Sequence, residues 1–258
     1  YTSARMSKEI CAKLLTVPTH EVMDMKKSVL LLILTFVFTM LCAATSLAYQ
    51  PGQRTFQLLG QTLNSDKHPV HLVVTQTIDM SEVLTPEAYA KLPEAQKKRI
   101  NRTEYNEAHG INAERITTCD GEGKVLKDNV SFVKGGYWYS IDYVNKTYDR
   151  LPELPGMSVA FAETLVSWFG NRPEAGNDIN TGYDYDKVTK GDNELFFYFE
   201  KGGETWKGYE TSYLPRFDVV EVSAEVDEAK AFALPPADFK QVPDTAMRNF
   251  ANKLMAKR

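Results

Sequence analysis

The residues whose types could do chemistry are few and scattered. His68 and His71 stand as His68-Pro69-Val70-His71. Residues three apart on a strand point to opposite faces, so these two share a metal only if Pro69 turns the chain. His109 stands alone before Gly110. The run Asp178-Ile179-Asn180-Thr181-Gly182-Tyr183-Asp184 opens like a calcium loop, but a bidentate Glu is needed at its twelfth position and Thr189 stands there. A solvated polar loop is expected, with a looser calcium site left open. Gly156-Met157-Ser158-Val159-Ala160 approaches a nucleophile elbow without its last glycine, and Pro152 and Pro155 occupy the place of the preceding strand. No histidine is paired with a hydroxyl or thiol in a way that would activate it. No catalytic residue, metal ligand or cofactor site is assigned, and the chain is read as a non-enzyme.

Aromatic side chains carry the stronger signal. Tyr137, Tyr139 and Tyr143 fall on one face of a predicted strand, Phe197 and Phe199 on one face of another, and Trp206 on the next. Such stripes either fill a core or line a concave pocket for a lipid or other apolar ligand. These six residues are the expected ligand wall if the pocket is open. Asp184 and Asp186 alternate with Tyr183 and Tyr185, and the two carboxylates are expected on a solvent face.

The elements that position these residues are mostly strands. Phe56, Leu58, Leu59 and Leu63 fit a short helix, and Val70–Met80 alternates as a strand. Thr85-Pro86 is a helix start, with Thr85 as N-cap and Pro86 in the first position. The charged segment after it, to about Arg102, is expected to be a helical surface excursion. Strand pairs follow around Asp120-Gly121-Glu122-Gly123, Gly135-Gly136 and Lys190-Gly191-Asp192-Asn193. Further strands are expected over Thr205–Tyr213 and Arg216–Val226. Met157, Phe161, Leu165 and Trp168/Phe169 make one apolar helical stripe, ended by Gly170. Pro243–Lys257 is a closing helix with Met247, Phe250 and Leu254 inward. Hairpin-joined strands cannot build a doubly wound parallel sheet. The fold class expected is therefore α+β and β-rich: seven to nine strands in a single large curved antiparallel sheet, an unclosed half-barrel covered on one face by helices.

Domain organisation begins with a leader. Met25 is followed by Lys26 and Lys27, then by a 14-residue apolar run over 29–42 broken only by Thr35 and Thr39, then by Ser46-Leu47-Ala48. That is the order of a secretory signal peptide over 25–48, cut after Ala48. The run is short of the roughly 20 residues that span a bilayer. Residues 1–24 are read as an over-extended reading frame, disordered, and 49–258 as a single β-rich domain. Five of the 30 Lys/Arg and three of the 34 Asp/Glu precede residue 49, which leaves 25 and 31 and a net charge of −6. An acidic domain with scattered bases has no electrostatic footprint for nucleic acid. Of three cysteines only Cys119 follows the leader, so no internal disulfide can form there.

Phe232-Ala233-Leu234-Pro235-Pro236-Ala237-Asp238-Phe239-Lys240-Gln241-Val242 resembles the closing F-x-L-P-x-x-F/Y-K-x-V segment of exported proteins related to the outer-membrane lipoprotein carrier LolA. The stretch Gly136–Asp142 with Lys146-Thr147-Tyr148 resembles the same group's repeated strand–turn–strand units. The likeness spans most of 53–242 and implies an unclosed barrel wrapped over helices, whose concave apolar face holds acyl chains in the carriers. It implies no specific ligand residue here. The charged segment 85–105 departs from a minimal carrier. The expected function is an exported, periplasmic or extracellular, monomeric binding or carrier protein for a lipid, acyl chain or lipoprotein, touching the envelope membrane transiently. The alternative is a structural or interaction protein of the cell envelope, with a closed core and with 85–105 as its contact segment.

Overall fold

The computed structural model describes residues 49–155, 161–166 and 173–256. The expected leader and the segment before it lie outside the described residues, as do Met157, Trp168, Phe169 and Gly170. Tyr49–Arg258 forms one compact unit.

Helix α1 (Gln53–Gln57) runs directly into a π turn over Leu58–Thr62. Leu58, Leu59 and Leu63 turn inward while Phe56 stays 56% exposed. Strand β1 (Val70–Asp79) follows. Helix α2 (Pro86–Ala90) starts where expected, with the Thr85 hydroxyl accepting the Ala88 N–H at 3.3 Å. It does not continue to Arg102. Pro93 follows Leu92 and disfavours a helical residue before it, a single 3-10 turn spans Glu94–Gln96, and Lys98–Ala108 is strand β2. This strand is polar along its length, yet all of its residues from Lys98 to Glu107 pair with β1.

The meander continues through β3 (Ile111–Asp120), β4 (Val125–Lys134), β5 (Tyr137–Asp142) and β6 (Thr147–Pro152). Gly135 and Gly136, at φ 59° and 77°, make the two-residue turn between β4 and β5, a backbone that L side chains adopt at a cost. Helix α3 (Phe161–Val166) precedes β7 (Glu174–Asn177), β8 (Asp184–Lys190), β9 (Asn193–Phe199), β10 (Trp206–Thr211) and β11 (Leu214–Ser223). A short helix α4 (Glu228–Ala231), the two-residue β12 (Lys240–Gln241) and helix α5 (Thr245–Ala256) follow.

Among the described residues, twelve strands form one sheet in the order β12-β6-β5-β4-β3-β2-β1-β11-β10-β9-β8-β7. Every neighbouring pair is antiparallel except β12 with β6, and β12 and β7 are left as the two edges of an unclosed sheet. The join between the two halves is β1 with β11, where His71 faces Ser223 and Leu72 faces Val222. Alternation then sorts the side chains. Leu72, Tyr105 and Val222 line up on one side; His71, Asn106, Ala113, Phe132 and Tyr139 line up on the other.

Two separate cores result. The first joins Val70, Leu72 and Val74 to Leu195, Phe197, Phe199, Trp206 and Tyr209, under Leu58, Leu59 and Leu63 and under Phe161 and Leu165 of α3. The second joins Ala113, Val130, Phe132, Tyr139 and Ile141 to Phe232, with Val226, Ala231 and Phe239 packed against it. The closing Phe-rich segment thus folds back over β3–β6, and Lys134 Nζ donates to the Phe232 carbonyl at 2.7 Å.

Asp149 ties helix α5 to the sheet. Asp149, 1% exposed, accepts Arg248 Nε at 2.8 Å and Nη2 at 3.0 Å, and the Asp244 N–H at 2.9 Å. Met247 and Ala251 turn inward, whereas Phe250, an expected inward residue, is 45% exposed. Burial alone would push the Asp149 carboxyl up. The guanidinium of Arg248 and the N–H groups of Asp244 and Arg150 outweigh it and hold the group below its usual range. A folded value below the unfolded one means the stabilisation is complete above roughly pH 4 and is lost as pH falls through the folded value. Protection factors for amide exchange over 245–256, each referred to the intrinsic rate at the same pH, are therefore expected to fall on acidification from pH 6 to 3. In Asp149→Asn they are low already at pH 6, and a variant with wild-type protection there would refute the staple.

Candidate functional site

A groove of about 610 Å³ lies on the His71 side of the sheet. Its floor comes from successive strands: His71 on β1, Asn106 on β2, Ala113 and Arg115 on β3, Val130 on β4, and Ser223 on β11. Registers that place His71 opposite both Asn106 and Ser223, and Arg115 opposite Val130, bring these six to one patch. Its wall is the chain from Glu225 to Ala233, with Lys230 and Ala231 of α4, and Tyr143 closes one end.

The groove is preorganised by hydrogen bonds. Arg115 grips Asp128 with both arms, at 2.8 and 2.7 Å, and its guanidinium lies 5.2 Å from the Tyr143 ring centroid. That pairing pushes the Arg115 pKa up, so the side chain is a permanent cation. His71 Nδ1 is 2.7 Å from Asn106 Oδ1, and its Nε2 is 3.9 Å from Glu221. The Ser223 hydroxyl donates to the Glu225 carbonyl at 3.3 Å, so its proton is committed there. Fixed polar groups beside Ala113, Val130, Val226 and Ala231 suit binding of a molecule with both polar and apolar parts.

The structure does not bring the six residues expected to line a ligand wall to one surface. Phe197, Phe199 and Trp206 are 0%, 1% and 6% exposed and belong to the first core. The Trp206 indole donates to the Gly208 carbonyl at 2.8 Å, and the Arg54 guanidinium lies 4.7 Å from the Phe199 ring. Tyr139 is in the second core, 5.3 Å from Phe132. Tyr137 lies outside both, 40% exposed under the Arg150 guanidinium. Tyr143 alone of the six lines the groove. His71, Asn106 and Arg115 were invisible as a set, because only register brings them together.

Asp184 and Asp186 are not on a solvent face. Asp186 is fully buried and accepts the Thr55 hydroxyl at 2.8 Å, and Asp184 pairs with Arg54 at 3.2 Å. The outward side of β8 and β9 carries Tyr185, Phe196 and Tyr198 instead, in mutual ring contact. The expectation inverted because α1 brings a cation to the inner face, which no local pattern reveals.

His68 has both ring nitrogens against carbonyls, Pro69 at 2.8 Å and Gln61 at 2.7 Å, and so does not join His71. His109 lies 3.2 Å from Glu228. The Asp178 loop closes on itself, the carboxylate accepting from Asn180 N–H and Thr181 Oγ1 at 2.9 and 2.7 Å. Among the described residues no three His, Cys, Asp or Glu side chains gather to hold a metal. No described helix is long and apolar enough to cross a membrane.

No family model matches the chain, and no curated protein matches it. A solved structure of an uncharacterized conserved protein from Thermus thermophilus superposes with a TM-score of 0.40 at 13% identity, covering 74% of this chain and 99% of that one. Two structures of PNGF-II give TM-scores of 0.30 and 0.28 at 9% identity; the matches cover 71% and 72% of this chain and 32% and 34% of those.

Proposed function

We propose that this chain is an exported, non-enzymatic binding or carrier protein whose ligand lies in the groove between the strand floor and the Glu225–Ala233 wall. The observation that carries this reading is the groove itself. Its volume, about 610 Å³, falls within the roughly 300–1,000 Å³ of small-molecule sites. Part of the lining is apolar, and the rest is polar, with Arg115 and Lys230 set among Glu104, Glu221, Glu225 and Asp227. A lipid or acyl chain with a polar head suits such a lining, and the resemblance of residues 232–242 to the closing segment of LolA-related exported proteins supports a carrier. Export follows from the leader-like segment 25–48. In this reading the unclosed sheet is a half-barrel, α1 and α3 fill one side, and the ligand takes the other.

The buried state of Phe197, Phe199 and Trp206 favours a second reading, an envelope interaction protein with a closed core. Its contact segment shrinks, because Lys98–Ala108 is sheet interior and only Pro86–Gln96 remains as an excursion. Native mass spectrometry of residues 49–258, purified without detergent, separates the two. Co-purified mass in the lipid range is expected, together with saturable uptake of a fluorescent fatty acid. Ala231→Trp, which fills the groove from α4, is expected to reduce uptake at least about tenfold with little change in melting temperature. A bare protein mass without uptake would establish the second reading.

A further inference from the structure

The opposite side of the same meander carries a second, smaller cavity. Glu114 on β3 is the register partner of Ser131 on β4. Trp138 on β5 donates its indole N–H to the Ser131 hydroxyl at 2.8 Å, so the ring leans across β4 toward Glu114. Phe250 of α5 stands against it, with 5.7 Å between centroids and 63° between planes. A cavity of about 230 Å³ lies among Glu114, Ser131, Trp138 and Phe250. It shares neither Glu114 nor either ring with the groove, and it is the size of a headgroup rather than of a whole lipid.

Two rings at a steep angle and one carboxylate form a corner of negative potential, since aromatic faces attract cations and the carboxylate adds a full charge. The indole is fixed by its hydrogen bond, and α5 is fixed by Asp149 and Arg248. Glu114 is partly buried, and burial pushes its pKa up against the opposing effects of the Tyr105 hydroxyl and Lys127. A carboxylate in that position gains from a nearby cation. The kind of cation follows from the hydrogen bonding. A primary ammonium carries three N–H donors that need acceptors. Here the Trp138 indole takes one acceptor position of the Ser131 hydroxyl and the Tyr105 hydroxyl one of the Glu114 carboxylate, and the two rings that form the corner offer π faces rather than acceptors. A cation with no N–H and a coat of methyl groups requires only charge and ring faces.

We propose that this cavity is a binding site for a quaternary ammonium group, free or carried as a phosphocholine headgroup. The test uses the protein recovered after expression of the full-length chain, with ¹⁵N label and the Trp138 indole signal identified by its loss in Trp138→Phe. Titration with choline and with tetramethylammonium chloride is expected to shift that signal saturably, while sodium chloride at equal ionic strength does not. The uncharged isostere 3,3-dimethyl-1-butanol is expected to bind at least about tenfold more weakly, and Glu114→Gln and Phe250→Ala each to weaken choline by about tenfold at unchanged melting temperature. Sedimentation with phosphatidylcholine vesicles that choline reverses would identify the headgroup as the source, and choline binding without vesicle binding the free cation. Absence of a saturable shift, equal binding of the isostere, or wild-type affinity in both variants would overturn the site.

Discussion

Asp186→Ala is expected to lower the unfolding free energy by about 3–5 kcal/mol, the cost of leaving a buried charge without its partner. Asp186 is fully buried under the first turn of α1, where it accepts the Thr55 hydroxyl at 2.8 Å and the Thr55 N–H at 3.3 Å. Arg54, only 4% exposed, reaches it at 4.0 Å and Asp184 at 3.2 Å. Its guanidinium also donates to the Gly203 carbonyl at 3.3 Å and lies between the rings of Tyr49 and Phe199. Removing Asp186 leaves that cation with one carboxylate that is itself partly solvated. Guanidinium chloride unfolding, read by linear extrapolation, measures the loss. The apolar replacement Arg54→Met with Asp186→Leu is expected to recover most of it, because burying two charges costs much of what their attraction returns. A loss under about 1 kcal/mol in the single variant would mean that α1 is not anchored there. The neighbouring carboxylate Asp184 responds to acid. Burial pushes the Asp184 carboxyl up, but the Gly202 N–H, Asn177 and Arg54 outweigh it and hold the group below its usual range. Its contribution is therefore complete above roughly pH 4 and fades as pH falls through the folded value.

Phe197→Ala is expected to cost a similar amount, about 3–5 kcal/mol, through lost burial and the cavity left behind. Phe197 is fully buried on β9, with Asp186 of β8 and Tyr209 of β10 as register partners. It belongs to the core that Leu58, Leu59 and Phe161 roof. Its neighbours Leu195, Phe199 and Tyr209 are held by the ladder and cannot collapse into the gap. The variant distinguishes core from ligand wall. Lower stability with unchanged ligand mass and uptake is the result expected of a core residue. Near-native stability with lost ligand would return Phe197 to the binding surface and displace the groove.

Local chemistry was legible in the sequence wherever a turn or cap decides the backbone by itself. Asp120–Gly123, Gly135-Gly136 and Gly191-Asp192 each mark a real hairpin, since turn residues act within four positions. Thr85-Pro86 marks a real helix start for the same reason. The long β1, with its β-branched alternation, was equally plain. Strand β2 was not, because Lys98–Ala108 offers no apolar stripe; the ladders of β1 and β3 on its two sides hold it extended. The short edges β7 and β12 carry too few residues to show a period.

The functional surfaces depended still more on tertiary structure. The sequence showed that Tyr137, Tyr139 and Tyr143, or Phe197 and Phe199, share strand faces, but a period of two cannot say which face meets a core. That choice came from what lies opposite. Arg54 on α1 turned two aspartates inward, and the segment ending at Phe239 covered Tyr139. The groove required β1 to meet β11 from far along the chain, placing His71 opposite Ser223. The Trp138 corner required α5 to return to β5. Spacing along the chain specifies turns, strands and their alternation; long-range pairing decides which alternate face is buried, because burial is a property of neighbours the local sequence does not contain.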